Sequence, residues 1–243
     1  MSRLTSKIII SSLLAEETSK GNLDAIKRLV QIGANIHQDD DKAIIWASKY
    51  GHLDIIKYLV SVGANIHAKN EDALIWAVKN GNFDIVQYLV DLGADIHVNN
   101  DFAIRWAAKD GRLDIVQYLV GLDANIHANH NYAIIWASNN GHLEVVKYLV
   151  SLGADIHVNA VLYASENGHL DVVQYLVGLG VDIHTENDQA VRMASGEGHL
   201  EVVEYLVSVG ADIHANNDEA LRMASEQGHD EVVEYLVSLG ARM

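Results

Sequence analysis

The sequence predicts an all-α solenoid of stacked helix-turn-helix units with shortened loops. The first sign is repetition. The segments GHLDIIKYLVSVGANIH, GNFDIVQYLVDLGADIH, GRLDIVQYLVGLDANIH and GHLEVVKYLVSLGADIH begin at Gly51, Gly81, Gly111 and Gly141, a step of 30 residues, and related segments begin at Gly21, Gly168, Gly198 and Gly228. A fixed period of this size marks an array in which each unit buries its apolar face only against its neighbours. The second sign is punctuation: a glycine lies between the two apolar stretches of each unit and, in all but one, another follows the second stretch, as at Gly51 and Gly63. The third is helical spacing of apolar residues within both stretches.

One unit, residues 41–67, shows each element. Asp41 reads as an N-cap, because a carboxylate there accepts the open N–H groups of a first turn. Asp101, Asn131, Asp188 and Asp218 stand in the same place. A short first helix follows, with Ala43, Ile44, Trp46 and Ala47 at helical spacing and small enough at two positions for close approach of a neighbour. Gly51 ends it in a left-handed residue. The second helix carries Leu53, Ile55, Ile56, Tyr58, Leu59 and Val60, with Asp54 in the first turn, where the helix dipole favours an anion. Gly63 ends this helix, and Gly93, Gly153, Gly180 and Gly210 recur there with Asp123 as the exception. All of these positions are expected to have positive φ. The tail, ANIHAKN, is expected to be extended.

These residues resemble the ankyrin repeat. The stretch GHLDIIKYLVSVGANIH is similar to the second helix and turn of that family almost position by position, eight times over between about residues 12 and 242. The run of DxA, then WAS, YAS or MAS, then GHLEVVKYLVSLGADIH is closer still to the ankyrin arrays of giant DNA viruses of amoebae. The resemblance implies a non-catalytic module that binds a protein partner through its concave face. For a viral chain it also implies the host cell cytoplasm. Three departures bear on that. Lys42-Ala43-Ile44-Ile45 replaces the family's Thr-Pro-Leu-His opening, and the unit is three residues shorter in the hairpin finger. The junction from Gly153 to Gly168 is three shorter again. Contacts carried by fingers are therefore in doubt.

The array is read as a single domain, 1–243, of eight repeats, complete at both ends. Glu16 and Glu17 take the places of Trp46 and Ala47 in the first unit, and Asp230 takes the place of Leu53 in the last, as terminal units facing water require. The start, with its basic residues and the apolar run Ile8 to Ala15, reads as a first helix and not a leader, because Leu13 stands where a cleavage site needs a small residue. A seam lies near residues 158–160, where the first-helix aromatic changes from Trp46, Trp76, Trp106 and Trp136 to Tyr163, Met193 and Met223. Residues 1–157 hold 14 basic and 18 acidic side chains, and residues 158–243 hold 3 and 15.

The net charge of −16 argues against nucleic acid and anionic membrane surfaces, which need Lys/Arg patches. The absence of Cys and of Asn-x-Ser/Thr suits an intracellular protein. No GxxxxGK[ST], HExxH or GxSxG is present, and Gly178-Leu179-Gly180 and Gly196-Glu197-Gly198 lack the third glycine of a dinucleotide loop. No enzyme, cofactor, metal or small-molecule substrate is therefore expected. The 13 histidines invite a metal reading. Equivalent residues in adjacent units lie about 8–10 Å apart, too far for one ladder to close a zinc site with ligands at about 2 Å. Loop histidines bonding backbone is the plainer reading. The Trp series, and the recurrent Tyr58, Tyr88, Tyr118, Tyr148, Tyr175, Tyr205 and Tyr235, read as core.

The candidate partner-binding residues are the two before each helix-ending glycine. They are Lys49, Tyr50, Lys79, Asn80, Lys109, Asp110, Asn139, Asn140, Glu166, Asn167, Glu197, Glu226 and Gln227, with Gly196 among them. Cations give way to anions along the series. This is either drift on a solvated face or a bipolar groove. A monomeric adaptor is the reading taken, and a structural or self-associating rod and a His-dependent metal protein are the alternatives.

Overall fold

The computed structural model describes residues 3–243, with side chains from Ile10 onward. The leader-like start, Met1 to Ile9, thus lies outside the described side chains. Sixteen helices and no strand occur among the described residues. The chain divides into two compact units, residues 1–107 with 114–125, and residues 108–113 with 126–243. The first contains α1 (Arg3–Ser19), α2 (Leu23–Gln31), α3 (Lys42–Tyr50), α4 (Leu53–Ser61), α5 (Ala68–Lys79), α6 (Phe83–Asp91) and nearly all of α7 (Val98–Lys109) and α8 (Leu113–Val120). The second contains α9 (Ala128–Asn139), α10 (Leu143–Ser151), α11 (Val158–Glu166), α12 (Leu170–Gly178), α13 (Thr185–Gly196), α14 (Leu200–Ser208), α15 (Ala215–Gln227) and α16 (Asp230–Ser238). Residues 158–160 fall inside this second unit, at the start of α11.

Within each unit the odd-numbered inner helices pack on one another and each even-numbered outer helix packs on its own inner partner. Composition dictates this. Inner helices meet through alanine pairs, Ala43 and Ala47, Ala73 and Ala77, Ala160 and Ala164, Ala190 and Ala194, all buried. Outer helices bury a β-branched pair and a leucine, such as Ile55, Ile56 and Leu59, or Val172, Val173 and Leu176. Each such side chain contributes about 1.5–3 kcal/mol when removed from water. Leu53 and its equivalents are half-buried, and Asp230 is exposed.

Glycine does what its position demands. Gly63, Gly93, Gly153, Gly180 and Gly210 all have positive φ, and Asp123 shares it at 64°. A side chain in that region costs on the order of 1 kcal/mol, so Asp123→Gly is expected to raise stability by about that amount in urea unfolding. An unchanged or lowered midpoint would refute the turn assignment.

The loops differ from expectation. The tails are not extended; they turn tightly and then enter three successive left-handed residues. These are Asp39–Asp41, Lys69–Glu71, Asn99–Asp101, Asn129–Asn131, Glu186–Asp188 and Asn216–Asp218. Fourteen of the eighteen are Asp or Asn, the non-glycine residues that best tolerate this conformation. A backbone bond closes each turn, as from Asp101 N to His97 O at 3.1 Å. The junction before α11 lacks the triplet. There His157 is extended, at φ −82° and ψ 144°, and its ring accepts the amide of Asn159 at 3.2 Å, capping α11 directly.

Asp41, Asp101, Asn131, Asp188 and Asp218 are therefore not the side-chain caps expected, because each has a left-handed backbone in place of the extended one from which a side chain caps the first turn. Asp41 makes no cap bond; its Oδ1 instead accepts the amide of Asn65, 24 residues on, at 2.8 Å. Asp101 accepts from Asn125 at 3.0 Å and Asp188 from Asp212 at 2.9 Å in the same way. Ser11 takes this role for Asn35 at 2.9 Å. The residue is a staple from one loop to the next. Glu71, one methylene longer, bonds His67 at 2.6 Å but leaves its buried Oε2 without a hydrogen bond.

Candidate interaction face

The inner helices build the candidate face. With Ala43, Ile44, Ala47 and Ser48 buried, positions 42, 46 and 49 form the opposite stripe of α3, at i, i+4 and i+7. The same three positions recur in every inner helix from α3 onward. Trp46, Trp76, Trp106 and Trp136 sit at the centre of this stripe and are half-buried, which corrects their reading as core. The alanines and isoleucines fill the space between helices, so a Trp at this register has nowhere to go but the surface. The recurrent tyrosines of the outer helices are likewise half-buried and not core.

In the first unit, lysines lie over these rings. The Lys49 ammonium is 4.4 Å from the Trp76 ring centre and 5.5 Å from Tyr50. Lys79 sits among Trp76, Trp106 and Phe102, at 5.1, 4.5 and 5.3 Å. Lys42 lies 4.6 Å from Trp46. Phe102 and Trp106 stack with centroids 5.3 Å apart. Of the sequence candidates in this unit, Lys49 and Lys79 are half-buried by these rings, while Tyr50 and Asn80 are exposed at the helix ends.

The second unit carries the rest. Lys109 lies over Trp136 at 5.8 Å, and Tyr132 tilts against Trp136 at 5.4 Å. Asn139 ends α9 and Asn140 caps it, as Glu166 ends α11 and Asn167 caps it; Asn167 donates to Asn139 Oδ1 at 3.3 Å. Asp110, Glu197, Glu226 and Gln227 are exposed at the ends of their helices. Gly196 is buried, and Met223 lies where its side chain would be. Arg192, like Arg105 and Arg222, stands where Ile45, Ile75, Ile135 and Leu162 stand in other units; it donates to Asn187 O at 3.0 Å and pairs with Glu219. The Asn216 amide first, and then Arg192, hold the Glu219 carboxyl below the ordinary carboxylate range. That link is present above the range and is lost as pH falls through the lowered value.

Sequence reasoning missed the Trp residues, Phe102, Tyr132 and Tyr163 as surface groups. The signal was present: Tyr132, Trp136 and Asn139 share one helical stripe, apart from Ala133, Ile134 and Ala137.

Apart from His130, the histidines fall into two series. His52, His169 and His199 reach back to carbonyls of the preceding inner helix, as from His199 Nε2 to Glu166 O at 2.9 Å. Those ending the GADIH-like turn before a left-handed triplet bond side chains instead: His37 to Asp41 at 3.0 Å, His97 to Asp101 at 2.7 Å, and His184 to Asp188 at 2.9 Å. The expectation of backbone bonding is thus corrected for these residues, whose i+4 partner is the staple residue, while the His157 ring does bond backbone, the amide of Asn159. No group of three or more His, Asp or Glu side chains among the described residues is arranged to hold a metal.

Helix pairs that pack on their neighbours and present an aromatic stripe define a helical-repeat scaffold. The family model described as ankyrin repeats (3 copies) matches residues 13–100, 97–160 and 161–243, and the chain belongs to the ankyrin-repeat family. Ankyrin repeats are in general protein–protein interaction modules and typically non-catalytic. No curated protein matches the chain.

Proposed function

We propose that the chain is a monomeric adaptor that binds a protein partner through the exposed stripe of its inner helices. One observation carries this: each inner helix from α3 to α11 presents a partly exposed Trp or Tyr at the same register. Aromatic anchors of this kind dominate interface energetics. Of the thirteen helix-end candidates, Lys49, Lys79, Lys109, Asn139, Glu166 and Glu226 end that stripe, and the other seven follow it at the helix ends as its rim. Within the second unit the series begins at Lys109 and ends at Glu197 and Glu226, so a partner of bipolar charge is favoured. Rim charges set orientation and association rate more than affinity.

The closer likeness of the units to arrays of giant DNA viruses of amoebae supports a setting in the host cell cytoplasm. Nucleic acid, membrane and small-molecule partners are not part of this reading. The eight units are proposed to act as one domain. A self-associating rod is the second reading, and light scattering on the purified chain separates it from a monomer.

The test is capture of the native partner by the chain and by two variants. Trp76→Ser with Trp106→Ser is expected to weaken binding at least tenfold, as loss of hot-spot residues does. Lys49→Glu, Lys79→Glu and Lys109→Glu together are expected to slow association about tenfold at low salt, with the deficit shrinking at high salt. Undiminished binding by a folded double Trp variant would remove the inner-helix stripe from the interface.

A further inference from the structure

Between α9 and α11 the second unit has a cleft of about 320 Å³, lined in part by Lys109, Tyr132, Trp136, Asn139, Asn140 and Tyr163. We propose that this cleft is a specificity pocket for a peptide segment of the partner: it takes one bulky apolar side chain and sets a neighbouring carboxylate of the same segment against Lys109. The proposal rests on the interaction-module reading and names what the module reads.

Size is the first argument. Pockets for drug-sized ligands run from about 300 to 1,000 Å³, so this cleft sits at the lower end and suits a single side chain. Its walls are the second. Tyr132 and Trp136 meet at 43° and make one aromatic wall, and Tyr163, 37% exposed, comes from the next inner helix. Such surfaces gain most from burying an apolar or aromatic group.

Charge is the third argument, and it selects the partner. Of the residues lining the cleft, Lys109 is charged and none is a carboxylate, in a chain with 33 acidic and 17 basic residues. The Lys109 ammonium is held over the Trp136 face, at the wall where an apolar side chain would rest. A carboxylate next to that side chain therefore meets a cation and no lining carboxylate here. A nucleic acid would also stack on these rings, but it brings a phosphate with every base to a chain of net charge −16.

Preorganisation is the fourth. Asn140 Nδ2 is tied to Trp136 O at 2.8 Å, and Asn139 Oδ1 accepts from Asn167, which also donates to Tyr163 O at 2.9 Å. Amides fixed before binding lose less freedom on binding.

The experiment selects short random peptides, displayed on phage, against the intact chain and measures the affinity of the retained peptides as synthetic molecules. Retained peptides are expected to pair an aromatic or large aliphatic residue with a nearby Asp or Glu. Lys109→Gln is expected to weaken them about fivefold at low salt, with less effect at high salt. Tyr163→Ala and Trp136→Ala are each expected to weaken them at least tenfold, while Lys147→Gln, on an outer helix, has no effect. Thermal melts confirm that each variant folds, and the exposed Tyr163 carries the test if Trp136→Ala does not. Peptides that lack the acidic–apolar pair, or that ignore Lys109→Gln and Tyr163→Ala, overturn the pocket while leaving the adaptor reading intact. So does failure to retain any peptide. Binding of a fluorescent single-stranded oligonucleotide that is lost with Trp136→Ala would overturn the peptide class. The adaptor reading fails separately, when the chain lacking Trp76 and Trp106 keeps its native partner.

Discussion

Gly168→Ala is expected to lower stability by about 3 kcal/mol, and Gly180→Ala by about 1 kcal/mol, although both glycines have positive φ. The shared part is backbone: a Cβ at φ 73° or 90° meets the same steric penalty, about 1–2 kcal/mol. The difference is the neighbour. Nothing lies within 4 Å of a Cβ at Gly180, but one at Gly168 would come within 2.6 Å of His199 Nδ1 and 2.9 Å of its Cγ. Cγ is the root of the ring and cannot be moved without turning the whole imidazole. Turning it breaks the bond from Nε2 to Glu166 O, a loss of about 1 kcal/mol, and the rest is repacking. Urea unfolding of the two variants checks this. Equal losses would show that the histidine does not fix the spacing of successive units.

Asp188→Ala is the second large effect, at about 3 kcal/mol, against less than about 1 kcal/mol for Asp188→Asn. Asp188 is 6% exposed, and its Oδ1 accepts from both Asp212 N and His184 Nδ1 at 2.9 Å. Alanine removes both acceptor contacts and also disfavours φ 54° more than Asp does. Asparagine keeps an Oδ1 and tolerates the left-handed region, and Asn131 already stands at the equivalent place, bonded to His127 at 2.8 Å. Chemical denaturation with both variants separates the geometric role from the charge. A loss on Asp188→Asn as large as on Asp188→Ala would mean that the negative charge, not the acceptor, holds the loops together.

The helices were legible because period and glycine placement are local signals. Gly51 to Gly63 brackets α4, and the alanine pair with the β-branched pair names the core without any knowledge of the fold. The triplets were misread because Asp and Asn favour two conformations: N-cap and left-handed turn look alike in composition. What separated them was a partner 24 residues away, Asn65 for Asp41, and no local pattern carries that. The Trp residues were misread for a different reason. Hydrophobicity alone sends Trp46 inward, but the register set by Ala43 and Ala47 sends it outward. At the candidate sites, chain order placed Lys49 and Lys79 at helix ends correctly, while their packing on rings of the next inner helix depends on how neighbouring helices are offset.

The junction before α11 shows what the left-handed triplet means for the length of the chain. There the triplet is missing, and the backbone passes from loop to inner helix with His157 alone as the connector. The inner helix still buries Ala160, Val161 and Ala164 as its counterparts do. The triplet is thus a removable spacer: three residues that enter or leave as a block, because only a whole turn can be excised without rotating the helix that follows. Repeat length in such an array can therefore differ by three residues while the inner helix keeps its core, but a unit without the triplet also lacks the staple that Asp188 makes to Asp212.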